Sequence, residues 1–426
     1  MQNNENMLYC HKTKNVLKEI VKMANLTLEQ LMEQVGCPMY PERWKLIFDE
    51  AMQKYEREGC PLASWDFYEK LNDEFGCFEE YGYVYKAAVE QLANEELLQR
   101  FLVLLTMALA DKENKKADLM EFKRPTTPEG KEPVAYEMAT ALALCTQFAE
   151  TAQRLRAKGM EEKYIRDMFL YAVNGTRNYI WRHDGAYGYD LLSWAQYYIN
   201  EELFPINRLE IQLNTTFKGR TIVYRNEAGE EIPLAHDIAA HRSGIALGAK
   251  NCEDEEGSWE CMVEEDETHW IGYPFLENGL ISKEKIRLDK AEWKEVVRRG
   301  DPVIGVHIPP TGKLTEELVD ATIQETKEFV AKYYPEYEYK AFDCTSWMMS
   351  TQLDDLLGGG NIVKFSQRFR RLTRASKGTD VFGFVFHKAG TDFELKDLRE
   401  NTTLEKKLKK LYLDGGVLYE MFGYFF

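Results

Sequence analysis

The stretch that decides the rear half of the chain is VIGVHIPPTGKLT, which runs from Val303 to Thr315. Its apolar part, Val303–Ile308, predicts a buried strand, and the Pro309–Gly312 part predicts a tight turn. Beyond Thr315, apolar residues recur at helical spacing until Pro335, and they are Leu318, Ala321, Phe329, Val330 and Tyr333. A strand that leads through a helix into another strand implies a sheet that is at least partly parallel.

Other strands are predicted on both sides of this unit. Leu209–Leu213 alternates apolar and polar residues, and Thr221–Tyr224 follows it across Lys218–Arg220, which is the pattern of a β-hairpin. Further strands are predicted at Trp259–Val263, Lys340–Met348, Val381–Phe386 and in the aromatic tail that ends at Phe426. Helical patterns begin at Asn361 and near Leu398, so helices and strands alternate to the end of the chain.

In the front of the chain, apolar residues recur at the spacing of an α-helix, which predicts a helical region. Thr27 and Gln30 form a capping-box pattern, and Gly59 stops the helix that follows Trp44. Residues 111–133 are charged and rich in Pro and Gly, which predicts an exposed loop or linker. We therefore predict an α+β protein with an all-helical N-terminal domain at 1–203 and a mixed-sheet α/β domain at 204–426.

Charge and composition exclude several functional classes. The chain has 426 residues and a formal net charge of −17, which disfavours binding to nucleic acid. Its longest apolar run, near residues 101–110, is too short to span a membrane. The eight cysteines form no C-x-x-C pair, which predicts reduced thiols, no structural metal and a cytoplasmic location.

The turn after the 303–308 strand is the first candidate site. Backbone N–H groups at a strand–turn–helix junction converge on one spot, and the helix dipole adds partial positive charge, so a pyrophosphate fits there. Gly312 would allow close approach and Lys313 would add charge. The alternative is a plain connection with Thr315 as N-cap, and Glu316 and Glu317 would repel a phosphate.

Three other features have both a functional and a structural interpretation. Cys344 is either a nucleophile or, more in keeping with its apolar strand, a buried structural thiol. His307 is either a site residue or a hydrogen-bonded strand histidine. A basic cluster either binds a terminal phosphate or is a solvated helix face, and it comprises Arg368, Arg370, Arg371, Arg374 and Lys377.

Four segments resemble one known family. They are Leu203–Glu210 (LFPINRLE), Val306–Leu314 (VHIPPTGKL), Tyr339–Trp347 (YKAFDCTSW) and Asn361–Phe365 (NIVKF). These segments are similar to the bacterial two-domain acyltransferases, which join a helical N-acyltransferase N-terminal domain to a GNAT-like C-terminal domain. The resemblance covers most of the chain and is clearest over residues 203–387.

The resemblance implies a coenzyme site and a reaction. Thr311, Gly312 and Lys313 would contact the pyrophosphate of acetyl-CoA or another acyl-CoA, and the Lys340–Trp347 strand would splay away to leave a slot for pantetheine. An amine would attack the thioester directly, while a carboxylate or a water chain removes its proton. The polar groups proposed near the thioester, in order of preference, are His307, Glu210 and Ser346.

Two other functions stay open at this point. Glu316, Glu317 and the absence of a Gln/Arg-x-x-Gly-x-Gly/Ala loop favour a GNAT-like module that binds an acyl-CoA or metabolite without turnover. The aromatic-rich termini favour a structural or partner-binding protein. For the enzyme, we expect a small-molecule acceptor that the sequence does not identify, and an oligomer is compatible with the sequence.

Overall fold

The computed structural model describes residues 26–110, 122–189, 192–247, 256–310, 312–388, 390 and 393–426, with the side chains of 192–193 and 373–377 left out. The chain divides into two compact units. The helical unit comprises Met1–Arg154, Phe169–Ile180 and Asp184–Ile199, and the sheet unit comprises Leu155–Met168, Trp181–His183 and Asn200–Phe426. The boundary at 203/204 stays a prediction.

Helices α1 to α9 account for the front of the described chain. The predicted capping box is present at the start of α1, where Thr27 and Gln30 bond to each other's backbone, and Gly59 ends α2 at φ 69°. The helices are α1 Leu28–Gln34, α2 Phe48–Glu58, α3 Trp65–Phe75, α4 Gly82–Leu92, α5 Glu96–Ala110, α6 Val134–Leu144, α7 Thr146–Ala157, α8 Glu162–Arg182 and α9 Leu192–Ile199.

The helical unit has an apolar core in which α5 and α6 are central. Leu102, Leu104 and Leu105 of α5 are fully buried, as are Leu142 and Ala143 of α6. Side chains buried on more than one face of a helix mean that other helices cover it on several sides. Residues 122–133, the described part of the predicted linker, contain no helix or strand, and 111–121 lie outside the described residues.

A six-stranded mixed sheet forms the centre of the sheet unit. Its order is β1-β2-β11-β12-β14-β13, and β11 and β12 are the one parallel pair within it. The other neighbours pair antiparallel. Its strands are β1 Leu203–Ile206, β2 Leu209–Thr216, β11 Pro302–His307, β12 Phe342–Ser346, β13 Arg370–Lys377 and β14 Tyr419–Phe425.

Smaller sheets are inserted between β2 and β11. One has the order β10-β3-β4, a second pairs β5 with β6, and a third has the order β7-β8-β9. The strands are β3 Thr221–Arg225, β4 Glu231–Ala235, β5 Ile238–Ala240, β6 Trp259–Cys261, β7 Glu264–Glu265, β8 His269–Gly272, β9 Ile286–Asp289 and β10 Lys294–Arg298. Phe217 and Val223 pack with Phe422 and Tyr424 in a shared core, so the insertion covers part of one face of the main sheet.

Five α-helices follow β11 among the described residues of the sheet unit. Helix α10 is the helix predicted after the 303–315 stretch, and it ends just before Pro335. They are α10 Glu316–Tyr333, α11 Gln352–Leu357, α12 Asn361–Ser366, α13 Asp380–Phe384 and α14 Thr403–Leu413.

Three local predictions were wrong. The hairpin across Lys218–Arg220 does not form, because β2 pairs with β1 and β11 while β3 pairs with β4 and β10. The segment Val381–Phe386 contains helix α13, in which the N–H of Val385 bonds to the carbonyl of Val381, since a short apolar run fits either structure. The basic run from Arg370 is strand β13 at the sheet edge, not a helix face.

Replacing Phe329 by Ala should destabilise the sheet unit. Phe329 of α10 is 1% exposed, and its ring centroid lies 5.0 Å from that of Phe204 in β1. We expect the Phe329→Ala variant to lose about 3–5 kcal/mol of unfolding free energy, measured by urea denaturation of the full chain. The control is Leu318→Ala on the same helix, which removes a side chain that is 43% exposed. Equal losses in the two variants would contradict the packing of α10 on β1.

Candidate active site

The central strands β11 and β12 are adjacent and parallel, but they pair at only two positions. Ile304 is paired with Phe342 and Gly305 with Asp343. Beyond that point, β11 is held by β2 as far as His307, and β12 is held by β14 as far as Ser346. The backbones of 306–307 and 344–346 therefore border an opening between the strands, which we call the slot.

An irregularity in β2 lies beside the closed end of the slot. The pairing register of β2 and β11 shifts between Val303 and Gly305, and Asn214 of β2 has a left-handed φ of 53°. A bulge of this kind bends a strand and increases its local twist. The bend accompanies the divergence of β11 from β12, and the sequence pattern contained no sign of it.

A polar row crosses one face of the main sheet next to the slot. Glu210 is the cross-strand partner of His307, and Gln212 and Asp343 both flank Gly305. Side chains of paired residues lie on the same face of a sheet, so all of these groups share one side. The row, which we call the polar face, consists of Glu210, Gln212, His307, Asp343 and Thr345.

Helix α10 covers the opposite face. Phe204 pairs with Ile211, which in turn pairs with Val306, and the Phe204 ring packs on Phe329 of α10. Because side chains alternate along a strand, these apolar residues and the polar face point in opposite directions. The arrangement leaves the polar groups on the side that the helix does not cover.

Glycine at position 305 leaves room for the hydrogen bond that orients His307. A Cβ on Gly305 would stand 3.2 Å from the Gln212 Cβ and 3.5 Å from its Oε1. That Oε1 lies 2.9 Å from His307 Nε2. A carbonyl oxygen only accepts, so His307 Nε2 is the donor in this contact. The Gln212 contact therefore fixes the orientation of the ring.

The predicted turn is anchored by a residue that the sequence did not single out. Arg208 donates from Nε to the Lys313 carbonyl at 3.0 Å and from Nη1 to the Pro309 carbonyl at 3.1 Å. Gly312 has φ 71°, and a Cβ there would come no nearer than 3.9 Å to Arg208. The turn thus bonds to Arg208 through its carbonyls. Thr311, the third predicted contact, lies outside the described residues.

The first turn of α10 is partly occupied by the chain's own side chains. The Thr315 hydroxyl accepts from the Leu318 N–H at 3.4 Å, as expected for an N-cap. A hydrogen bond from its own backbone N–H, followed by one from Thr315, lowers the pKa of Glu317. Glu316 is neutralised by Lys364, 2.5 Å away. Any phosphate would therefore contact the Gly312–Lys313 turn more than the helix end.

The basic cluster is engaged in ion pairs. Arg368 contacts Asp320, and Arg370 contacts Glu277 at 2.7 Å. Arg371 binds both carboxylate oxygens of Asp354, at 2.8 and 2.7 Å. The side chains of Arg374 and Lys377 lie outside the described residues. The described arginines thus hold elements of the sheet unit together.

Ser346 lies at the lip of the slot on β12. Its hydroxyl accepts from the Met348 N–H at 3.1 Å and so caps the short 3₁₀ helix Trp347–Met349. Strand alternation places its side chain on the face opposite Asp343 and Thr345. The structure thus brings His307 and Glu210 together as cross-strand partners and separates Ser346 from them.

A family model agrees with this architecture. The model of the GNAT-like C-terminal domain matches residues 203–425, which is more than half of the chain. The chain belongs to this family. The match begins at β1 and ends with β14, so the whole main sheet of the GNAT-like domain lies within it.

Solved structures show that the likeness in fold extends beyond this domain. An acyltransferase in complex with decanoyl-CoA and teicoplanin has a TM-score of 0.61 at 14% identity, and the match covers 94% of this chain and 99% of that one. A mutant acyltransferase in complex with octanoyl-CoA has a TM-score of 0.60 at 15% identity, with 93% and 98% covered. At sequence identities this low, the comparison shows a shared fold and nothing further. Among curated proteins, no sequence is significantly similar.

The described residues contain neither a membrane-spanning helix nor a group of metal ligands. No helix in that part of the chain has the length and apolar character needed to cross a membrane. No group of three or more His, Cys, Asp or Glu side chains there has an arrangement that could hold a metal ion.

Asp343 is the site residue that sequence reasoning missed. It is 6% exposed, and its Oδ2 has no hydrogen-bond partner among the described residues. Burial raises the pKa of Asp343 to about 7, against smaller opposing effects from the charge and backbone of Lys218. The signal in the sequence was an Asp in the middle of the apolar strand Ala341–Cys344, where an ionised group is costly without a function.

The neighbouring Cys344 fits the structural interpretation. It is 3% exposed on the face opposite Asp343. Burial, followed by the charges of Asp343 and Glu420, raises the pKa of the Cys344 thiol far above its ordinary value. The thiol therefore stays protonated, and a protonated thiol is a poor nucleophile.

Replacing Asp343 by Asn should stabilise the protein at alkaline pH. An unfolded Asp titrates near pH 3.9, so between about pH 4 and 7 the folded state binds more protons and the unfolding free energy falls as the pH rises. At pH 8 we expect the variant to be more stable by about 2 kcal/mol, since burying the amide offsets part of the roughly 4 kcal/mol that the shift represents.

Urea denaturation from pH 4 to pH 8 measures this difference, which should shrink towards zero near pH 4. The control is Asp301→Asn, which removes an ion pair with Lys340 at 2.9 Å and should produce no such gain at pH 8. If Asp343→Asn and wild type have parallel stability profiles over this range, the raised pKa is contradicted.

Proposed function

We propose that this protein transfers the acyl group of an acyl-CoA to an amine or hydroxyl of a small-molecule acceptor. The slot is the observation that carries this proposal. The pantetheine arm of CoA is slender and contains two amides, so it can lie between β11 and β12 and bond to their free edges as an added strand would. The likeness in fold to acyltransferases solved with decanoyl-CoA and octanoyl-CoA supports the same choice.

The phosphates of the coenzyme would bind at the turn that follows β11. In this proposal Thr311, Gly312 and Lys313 contact the pyrophosphate, and Arg208 holds the turn in shape. The left-handed backbone at Gly312 and the open space around it support close approach by a phosphate. The pairing of Glu316 with Lys364 reduces the repulsion that the sequence led us to expect.

The reacting groups would meet on the polar face. We assign His307 to the thioester carbonyl, because Gln212 fixes its ring at the edge of the slot. Glu210, its cross-strand partner, would hold the positive charge of an incoming amine. Ser346, whose side chain lies on the other face of the sheet, would contact the thioester across the slot from His307, and strand N–H groups bordering the slot would polarise the thioester carbonyl.

The acyl chain and the acceptor are separate questions. The resemblance in sequence implies acetyl-CoA or another acyl-CoA as the donor, and the similar solved structures contain decanoyl-CoA and octanoyl-CoA, so the proposal covers acyl chains of two to ten carbons. Teicoplanin is the small molecule present in one of those complexes. For this chain we propose a small-molecule acceptor and no metal, and its cytoplasmic location and oligomeric state stay predictions.

A non-catalytic acyl-CoA-binding module is the second candidate function. The observation that favours it is the occupied first turn of α10, where Thr315 caps Leu318 and Glu317 binds its own N–H. Fewer free backbone amides at the phosphate site would lower the affinity for the coenzyme. A non-catalytic module that senses an acyl-CoA needs only modest affinity, so this loss would not impair it.

Thiol release separates these functions. Wild-type protein is incubated with acetyl-, octanoyl- or decanoyl-CoA and a panel of alkyl amines, aromatic amines and alcohols, and free CoA is measured with a thiol reagent. Acceptor-dependent release supports the enzyme. Calorimetric binding of CoA esters without release supports the module, and neither release nor binding contradicts both.

Replacing Gly312 by Asp should weaken CoA binding more than tenfold. An Asp at φ 71° strains the turn and adds a negative charge beside the phosphates. Calorimetry with CoA measures the affinity, and Gly229→Asp is the control, because Gly229 has φ 82° and open space around it in the β3–β4 turn. Unchanged affinity in a folded Gly312→Asp variant would place the phosphates elsewhere.

A further inference from the structure

Asp343 stands at the closed end of the slot. Its pairing with Gly305 is the last contact between β11 and β12, and the strands diverge from there towards the Gly312 turn. A pantetheine arm that enters with its phosphates at the turn would therefore end at the Gly305–Asp343 pair. Gly305 has no side chain, so no group of β11 stands between that end of the slot and the Asp343 carboxylate.

One oxygen of the buried carboxylate lacks a partner in the described part of the chain, although a backbone hydrogen bond and the charge of Lys218 act on the group. Its Oδ2 lacks a hydrogen bond among the described residues although the residue is 6% exposed. A native structure rarely leaves such a group unsatisfied, because the desolvation is not recovered elsewhere. A buried carboxylate with an unsatisfied oxygen, placed at the pair where the β11–β12 pairing ends, is the arrangement expected of a group that bonds to a ligand.

The groups around Asp343 leave it able to take up a proton. Lys218, on the loop between β2 and β3, acts on it less strongly than burial does. The Tyr337 hydroxyl donates to the Val303 carbonyl at 2.6 Å, so its proton is not available to Asp343. Tyr424, the cross-strand partner in β14, and Cys344, the next residue in β12, both stay protonated because burial raises their pKa values.

We propose that Asp343 accepts the proton that the acceptor's nitrogen or oxygen loses when it attacks the thioester, a role that rests on the proposed function. The new C–N or C–O bond forms as the C–S bond breaks, and the electron pair of the C–S bond goes to sulfur. The proton passes to the Asp343 carboxylate and from there to the CoA thiolate, which leaves as a thiol. Atoms and charge balance, and Asp343 returns to its starting state.

This assignment gives His307 and Asp343, two of the three ionisable groups of the polar face, different tasks. His307 Nε2 donates to Gln212, so that proton is not available to the thioester and the ring serves to position it. Asp343 has an unbonded oxygen and the raised pKa expected of a base that works near neutral pH. The side chains lie on the same face, two residues apart along the slot.

The test compares Asp343→Asn with wild type, using octanoyl-CoA and the best acceptor from the panel. Loss of a positioned general base lowers turnover by about 10²-fold or more, so we expect kcat to fall by that factor. The calorimetric affinity for CoA should change less than threefold, because Asn keeps the shape of the side chain. Asp301→Asn is the matched control and should retain wild-type turnover.

A pH profile gives a second readout that needs no variant. With an aromatic amine whose own pKa lies below 5, kcat/KM of wild type should rise between pH 5.5 and 8.5 with an inflection near 7. The Asp343→Asn variant, where folded by circular dichroism, should lose this inflection. A flat wild-type profile over that range would overturn the role of Asp343, whether or not the variant folds.

The outcomes separate this inference from the proposed function. No thiol release by wild type with any donor and acceptor contradicts acyl transfer itself, and the role of Asp343 with it. An active wild type together with an Asp343→Asn variant that keeps more than a third of its kcat leaves acyl transfer intact but overturns Asp343 as the proton acceptor.

Discussion

Two rungs of parallel pairing, Ile304–Phe342 and Gly305–Asp343, join the two halves of the main sheet and then stop. Beyond that point β2 continues to pair with the outer edge of β11, and β14 with the outer edge of β12. Backbone groups along the free edges lack a neighbouring strand, and such groups are costly unless something else satisfies them. A narrow ligand with its own amides meets that requirement, so the coenzyme site follows from where the pairing ends.

The arrangement of the polar side chains depends on the same two pairs, because successive side chains of a strand point to opposite faces of the sheet. Gly305 lies between Gln212 on one side and Asp343 on the other, and His307 follows on the same face. The absent side chain at 305 makes room for the Gln212–His307 contact and leaves the Asp343 carboxylate at the end of the slot. Helix α10 packs on the opposite face through Phe329, so the polar groups stay uncovered by it.

The local parts of this architecture could be predicted. The run 303–315 indicated the strand, turn and helix, and Thr27 and Thr315 were recognisable as caps. The strands that carry His307 and Glu210 were also predicted, and the roles of these two residues stay predictions. The hairpin at Lys218–Arg220 was wrong because the sequence between two strands does not show which sheet each one joins. Asp343 was missed because its burial depends on residues that surround it only in the folded chain. Ser346 was proposed beside His307 and Glu210, but strand alternation places its side chain on the other face of the sheet.

Apolar period, caps and turn residues act over a few positions, and for that reason the sequence alone determined the helical front, the strand–turn–helix unit and the partly parallel sheet. The register of β11 against β12, the bulge near Asn214 and the anchoring of the turn by Arg208 involve residues from 38 to more than 100 positions apart. Their formation depends on which surfaces pack together once the chain is folded. The opening of the slot and the isolation of the Asp343 carboxylate belong to this second group, because both are properties of several strands at once.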